Sequence, residues 1–286
     1  MTAISRVGVV GCGIMGAGIA EICARADLDV RVAVVAERSA ERGRRRLAAS
    51  LGRGVRKGLF TEADRELALK RVSFATKLSD LADRQIVFEA VPENEALKLR
   101  VFCELDHSIS DRAAILASNT SSIPIHRLAA ATGRPERVVG VHFFSPVPSL
   151  PLVELIGTSS TEAATLARTE AFVEGVLGKQ AIRSQDRPGF VVNVLLIPYL
   201  LSAVRMVESG FATPQVIDKG MMLGCGQPVG PLRLVDLIGL DTVASVARAL
   251  HEEFTEPQYM PPPMLLRMVD DGLLGKKAGR GFYDYT

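Results

Sequence analysis

The stretch Val7-Gly8-Val9-Val10-Gly11-Cys12-Gly13-Ile14-Met15-Gly16 decides the fold. Its first four residues, three of them valine, read as a buried strand. A G-x-G-x-x-G run follows at once, and Ile19 and Ile22 continue it at helical spacing. In such a strand–turn–helix unit the first glycine permits the tight turn. The second lets the backbone approach a pyrophosphate, and the third lets helix and strand pack closely. The N–H groups at the helix start favour the anion. Gly11, Gly13, Ile14, Met15 and Gly16 are therefore candidate dinucleotide contacts.

Outward from this stretch the alternation continues. Short β-branched runs at residues 30–35, 86–90, 114–118, 138–143 and 152–156 are separated by helical patterns, the rhythm of a βαβ fold. Several runs are almost wholly apolar, as parallel strands covered on both faces are. The fold class expected is α/β: an N-terminal Rossmann-type, mostly parallel sheet over residues 1–186, and a second, all-helical domain over 187–286. The boundary is set at the turn-forming cluster Asp186-Arg187-Pro188-Gly189. Beyond it, helical patterns cover about 190–208, 213–223, 232–254 and 264–270.

A Rossmann site also calls for an acid at the end of the second strand, to accept hydrogen bonds from the ribose hydroxyls. Glu37 is the candidate. A carboxylate there repels a 2′-phosphate, which favours NAD over NADP.

Composition narrows the classes. The chain has 286 residues, is 48% hydrophobic and 23% charged, and carries a formal net charge of only +2, a profile that argues for a globular protein and against nucleic acid as partner. The basic run Arg42, Arg44, Arg45, Arg46, Arg53, Arg56 and Lys57 is local. Cys12, Cys23, Cys103 and Cys225 stand at no metal-ligand spacing; they read as reduced, mostly buried thiols, and no metal is expected. The longest apolar stretch, 191–204, contains Pro198 and is too short to span a bilayer, and the N-terminus has no signal-peptide pattern. The expected location is the cytoplasm, with no membrane partner.

Reacting groups in an open α/β sheet gather beyond the carboxyl ends of the strands. Three clusters fall there: Ser118 to Ser122 after the run at 114–118, His142 at the end of 138–143, and Glu154 within 152–156. An unpaired carboxylate among Leu152, Val153, Leu155 and Ile156 would be costly to bury, so Glu154 needs a partner. His142 is the natural one, either as a general base oriented by the carboxylate or as a purely structural pair. Ser121 and Asn193 could hydrogen-bond a substrate oxygen.

The motifs VGVVGCGIMGAGIAE, Val91-Pro92-Glu93-Asn94, ASNTSS, GVHFFSPVP, LVELI, PGFVVN and GKKAGRGFYDY together resemble the L-3-hydroxyacyl-CoA dehydrogenase family, and within it the single-function branch that acts on 3-hydroxybutyryl-CoA. The resemblance covers nearly the whole chain. It implies that His142 is the catalytic base and Glu154 its partner, and that Ser121 and Asn193 contact the reacting oxygen. Glu93, Lys98, Ser145 and Lys277 are placed by it around the nicotinamide cofactor, and Ser50 and Lys57 at coenzyme A. Seven residues is two helical turns, so Ser50 and Lys57 would also share a helix face within the basic run. The chain departs from the family at Ser145, where asparagine is usual, and by about three additional residues between the glycines and Glu37.

The expected activity is interconversion of a 3-hydroxyacyl-CoA and a 3-ketoacyl-CoA by hydride transfer with NAD. A dehydrogenase of a free hydroxy or sugar acid, and a non-catalytic NAD-binding protein, are the alternatives. Apolar residues on nearly every side of 190–204, with Met221, Met222, Leu223 and the segment 234–240, exceed what a domain of about 100 residues covers by itself. A homodimer through the C-terminal domain is expected.

Overall fold

The computed structural model describes residues 3–285. The chain divides into two compact units, residues 1–186 and 187–286, each with its own hydrophobic core. The first unit runs β1 (Arg6–Val10), α1 (Ile14–Arg25), β2 (Asp29–Ala33), α2 (Glu37–Arg56), α3 (Glu62–Lys70), β3 (Val72–Ala75), β4 (Ile86–Glu89), α4 (Glu95–Ser108), β5 (Ile115–Ser118), α5 (Ile125–Ala130), β6 (Val138–Phe143), β7 (Leu152–Ile156), α6 (Ala163–Ala171) and β8 (Gln180–Ser184). The second holds α7 (Val192–Glu208), α8 (Pro214–Cys225), α9 (Pro231–Ile238), α10 (Leu240–Phe254) and α11 (Pro263–Asp270).

The strands form one sheet in the order β3-β2-β1-β4-β5-β6-β7-β8. Every pairing is parallel except β6 with β7. Strands β4, β5 and β6 are buried at every position, which is why their sequences are continuous apolar runs rather than alternating ones. The strand order reverses between β1 and β4, and a crevice for a ligand opens at the carboxyl ends of strands at such a switch point.

Several elements differ from the sequence reading. Strands β3 and β8 were not expected; they are the two sheet edges, only half-buried, so VSFA and QAIRS carry no apolar run. Strand β2 stops at Ala33, short of Val35. The helical pattern over 232–254 is two helices, broken at Gly239 with φ 101°. A side chain there would press on Asp241 and Lys277, so only glycine fits the corner. Of the four cysteines, Cys12 and Cys23 are buried but Cys103 and Cys225 are exposed. Among the described residues, no helix is long and apolar enough to cross a membrane.

Candidate active site

The glycine loop sits where β1 turns into α1. Gly11 has φ 92°, and a Cβ on Gly16 would lie 2.1 Å from the Gly11 carbonyl oxygen, so both must be glycine for the turn to close. Gly13 is exposed, with open space where a Cβ would stand, which leaves its backbone approachable. It also opens α1, with no side-chain cap and no acidic residue in the first turn. A dinucleotide pyrophosphate fits this loop: a Cβ on Gly13 would meet nothing, and the first turn of α1 holds no carboxylate to repel the anion. Ile14 is exposed and Met15 half-buried at the same helix start.

Strand β4 ends in Glu89, fully buried. Its carboxylate accepts from Lys98 Nζ at 2.7 Å, Ser118 Oγ at 2.7 Å and Val91 N at 2.8 Å, so the charge is compensated from α4, β5 and the turn after β4. Lys98, also buried, reaches Glu93 Oε2 at 3.3 Å. Glu93 Oε1 in turn accepts from Thr120 Oγ1, Ser121 N at 3.0 Å, Ser122 N at 3.2 Å and Ser122 Oγ at 3.1 Å. The turn after β5 is thus folded around the Glu93 carboxylate, and the Ser121 hydroxyl stands 3.4 Å from it. Burial alone would raise the Glu93 carboxyl, but Lys98 and these donors outweigh it and hold it below the ordinary carboxylate range.

The antiparallel pairing of β6 with β7 sets His142 directly opposite Glu154. Side chains of such partners emerge on one face, and His142 Nδ1 lies 2.7 Å from Glu154 Oε2. Glu154 is fully buried and His142 6% exposed, so the contact is shielded from water. A carboxylate on Nδ1 fixes the tautomer in which Nε2 takes up a proton. The His142 ring packs against Phe144 with centroids 4.6 Å apart. Asn119 Oδ1 accepts from Phe143 N at 2.9 Å and ties the ends of β5 and β6 together. Ser145 is exposed, two residues past β6. The following turn is held by the buried Lys179, whose Nζ donates to the carbonyls of Val147 at 2.6 Å and Leu150 at 2.8 Å.

The other expected site residues lie on other elements. Asn193 is in the first turn of α7, and Lys277 is paired with Asp241 at 2.6 Å, both within the second unit. Ser50 is within α2, whereas Lys57 is its C-cap, just beyond the last helical turn, so only one of the two is strictly on the helix. Glu37 does not stand at the end of β2. Val34, Val35 and Ala36 intervene. Glu37 opens α2 instead, exposed and bound to Arg44 Nη1 at 2.7 Å. Reasoning from sequence missed Glu89, although a carboxylate in the apolar run Ile86-Val87-Phe88-Glu89 carries the same signal as Glu154. Asn119 and Lys179 have no such signal. Among the described residues, no group of three or more His, Cys, Asp or Glu side chains could hold a metal ion.

Known proteins match this arrangement along its whole length. The family model described as 3-hydroxyacyl-CoA dehydrogenase, NAD binding domain, matches residues 6–187, and that described as 3-hydroxyacyl-CoA dehydrogenase, C-terminal domain, matches 189–285. A 3-hydroxybutyryl-CoA dehydrogenase of Mycobacterium tuberculosis is 58% identical over 283 residues, 99% of either chain. The crystal structure of M. tuberculosis FadB2, 58% identical, superimposes with a TM-score of 0.98 and covers both chains completely. That of (S)-3-hydroxybutyryl-CoA dehydrogenase PaaH1 from Ralstonia eutropha, 44% identical, gives 0.91 over 99% of this chain and 100% of its own. With both halves of the chain accounted for in this way, and in the order in which its glycine loop and its His–Glu pair occur, the chain belongs to the 3-hydroxyacyl-CoA dehydrogenase family.

Proposed function

We propose that the protein is an NAD-dependent 3-hydroxybutyryl-CoA dehydrogenase, interconverting (S)-3-hydroxybutyryl-CoA and acetoacetyl-CoA in fatty acid or butanoate metabolism. It works in the cytoplasm as a homodimer. The observation that carries the reading is the buried His142–Glu154 pair at the carboxyl end of β6, within a unit whose glycine loop suits a dinucleotide. A structural pair would serve equally well at the opposite edge of the sheet; this one stands where the reacting groups of such folds gather.

Held at the Gly11–Gly16 loop, NAD would supply the acceptor for the hydride from C3 of the substrate. His142 takes the 3-hydroxyl proton on Nε2 as that hydride departs, and in the reverse direction it returns the proton to the same oxygen. Glu154 steadies the imidazolium through Nδ1. The Ser121 hydroxyl and the Asn193 amide are assigned to the oxygen as it becomes a carbonyl, and the Glu93–Lys98 cluster keeps the Ser121 turn in place. Ser50 and Lys57 are assigned to coenzyme A, where a serine hydroxyl and an ammonium suit its phosphates. Glu93, Lys98, Ser145 and Lys277 are assigned to the surroundings of the nicotinamide.

NADH consumption with acetoacetyl-CoA, longer 3-ketoacyl-CoAs and free acetoacetate tests the reading. Turnover of the C4 thioester well above that of the free acid is expected; a preference for the free acid would overturn it. His142→Ala should lower turnover by a factor on the order of 10² to 10⁴ with NADH affinity unchanged, since the imidazole is assigned to proton transfer alone. Unaltered turnover would remove His142 from the mechanism.

A further inference from the structure

The end of β2 and the glycine loop form one surface, because Gly11 N donates to the carbonyl of Ala33 at 2.8 Å. Beyond Ala33 come Val34, whose N–H extends the sheet to Ala75 at 2.9 Å, and Val35, 93% exposed. A carboxylate at this strand end is the group that binds the ribose hydroxyls of NAD and repels the 2′-phosphate of NADP. Here two valines hold that place, and Glu37 behind them is occupied by Arg44.

Cations are close by instead. Helix α2 lies against the loop at Gly43, where a Cβ would come within 2.6 Å of Cys12 Sγ. Three residues on, Arg46 Nη1 donates to the Cys12 carbonyl at 2.7 Å, which fixes a guanidinium beside the phosphate-binding loop. Arg42 is one turn earlier on the same face, exposed, its Nη2 3.2 Å from Ser39 Oγ. Residues 37–46 carry five arginines against two glutamates. A ribose phosphate, close to two negative charges with three acceptor oxygens, is the ligand that such a surface favours.

We propose that the adenosine end of this site accepts a 2′-phosphate, with Arg42 and Arg46 as its partners, so that the enzyme binds NADPH about as well as NADH. This rests on the first unit being a dinucleotide site but not on the identity of the acyl substrate. Coenzyme A also carries a ribose phosphate, at the 3′ position, and the test must separate the two.

Binding of NADH and NADPH to the full-length protein is followed by nicotinamide fluorescence without acyl substrate, and 2′,5′-ADP and 3′,5′-ADP are compared as competitors of NADPH. Dissociation constants for NADPH and NADH within about tenfold are expected, with 2′,5′-ADP the better competitor. Arg42→Ala should weaken NADPH on the order of tenfold and leave NADH within about twofold, since a charge-assisted hydrogen bond to phosphate is lost. Val34→Asp, which places a carboxylate at the strand end, should weaken NADPH by a similar factor and spare NADH. NADPH binding more than about tenfold weaker than NADH in the unaltered protein would overturn the proposal. So would an Arg42→Ala variant impaired for 3′,5′-ADP but not for NADPH. Failure of both coenzymes to bind would refute the dinucleotide reading itself, whereas failure to reduce acetoacetyl-CoA with either bound would refute only the substrate.

Discussion

At the scale of single residues, burial of charge was the most informative signal. Glu154 could be found because a carboxylate inside an apolar strand demands a partner, and the antiparallel register supplied His142. Glu37 was misplaced for the converse reason: Val34 and Val35 prolong the apolar run past the strand, and Ala36 gives α2 no polar cap to mark its start. Two further carboxylates make opposite predictions. Glu93 is held below the ordinary range, burial being outweighed by Lys98 and the donors of the 120–122 turn. A depressed carboxyl contributes stability above its unfolded value, near 4.5, and loses it as pH falls through the folded one. Glu21, 2% exposed, is raised, chiefly by burial, despite Ser50, Arg25, Arg53 and Lys179, and its Oε2 has no hydrogen-bond partner. A raised carboxyl costs stability once pH exceeds the unfolded value, and the cost is complete above the folded one. Glu93→Gln should therefore lower the melting temperature at pH 7 and Glu21→Gln raise it, with both differences shrinking below about pH 4. Melting curves at the two pH values check this, and equal signs for the two variants would contradict the assignment.

At the scale of elements, legibility followed burial. The central strands announced themselves, while edge strands β3 and β8, half in water, could not. The break at Gly239 was hidden because apolar spacing continues across it through Val235, Leu240 and Val243. What fixes that corner is a polar anchor remote in sequence. Asp236, fully buried at the end of α9, accepts from Phe282 N and Tyr283 N at 2.9 Å and from Tyr285 Oη at 3.0 Å, and so clasps the C-terminal tail. Asp218 caps the other end of α9 through Leu232 N at 2.8 Å and Arg233 N at 3.0 Å, and takes Tyr283 Oη at 2.8 Å. Asp236→Ala would leave three donors without their acceptor, two of them backbone amides. A loss on the order of 2–5 kcal/mol is expected, measurable by urea unfolding, with early proteolysis after residue 275. A change under about 0.5 kcal/mol would mean that the tail is anchored elsewhere.

At the scale of the whole molecule, the question is what covers the second unit. Helix α8 has twelve residues and buries only Ile217 and Asp218. Val216 and Leu223, seven residues apart and so on one face, are 60% and 76% exposed, with Gly220 between them meeting nothing. Leu195 at 71% and Phe211 at 76% add to the apolar surface of the same unit. Isolated apolar side chains on a surface are ordinary, but a helix that turns its apolar stripe outward is what an interface looks like before its partner is present. The sequence suggested this surplus around Met221, Met222 and Leu223, though it placed more of it on α7, whose Ile197, Leu200, Leu201, Ala203 and Val204 are buried within the unit. A two-fold pairing, in which each copy offers the same face to the other, is the simplest closed way to cover such a stripe. Light scattering at micromolar concentration should therefore give twice the 30.7 kDa chain mass. The double variant Phe211→Glu, Leu223→Glu, which removes no buried contact of the single chain, should dissociate to monomers while keeping its far-ultraviolet circular dichroism. A monomeric unaltered protein would refute the dimer, and a variant still dimeric would move the interface away from α8.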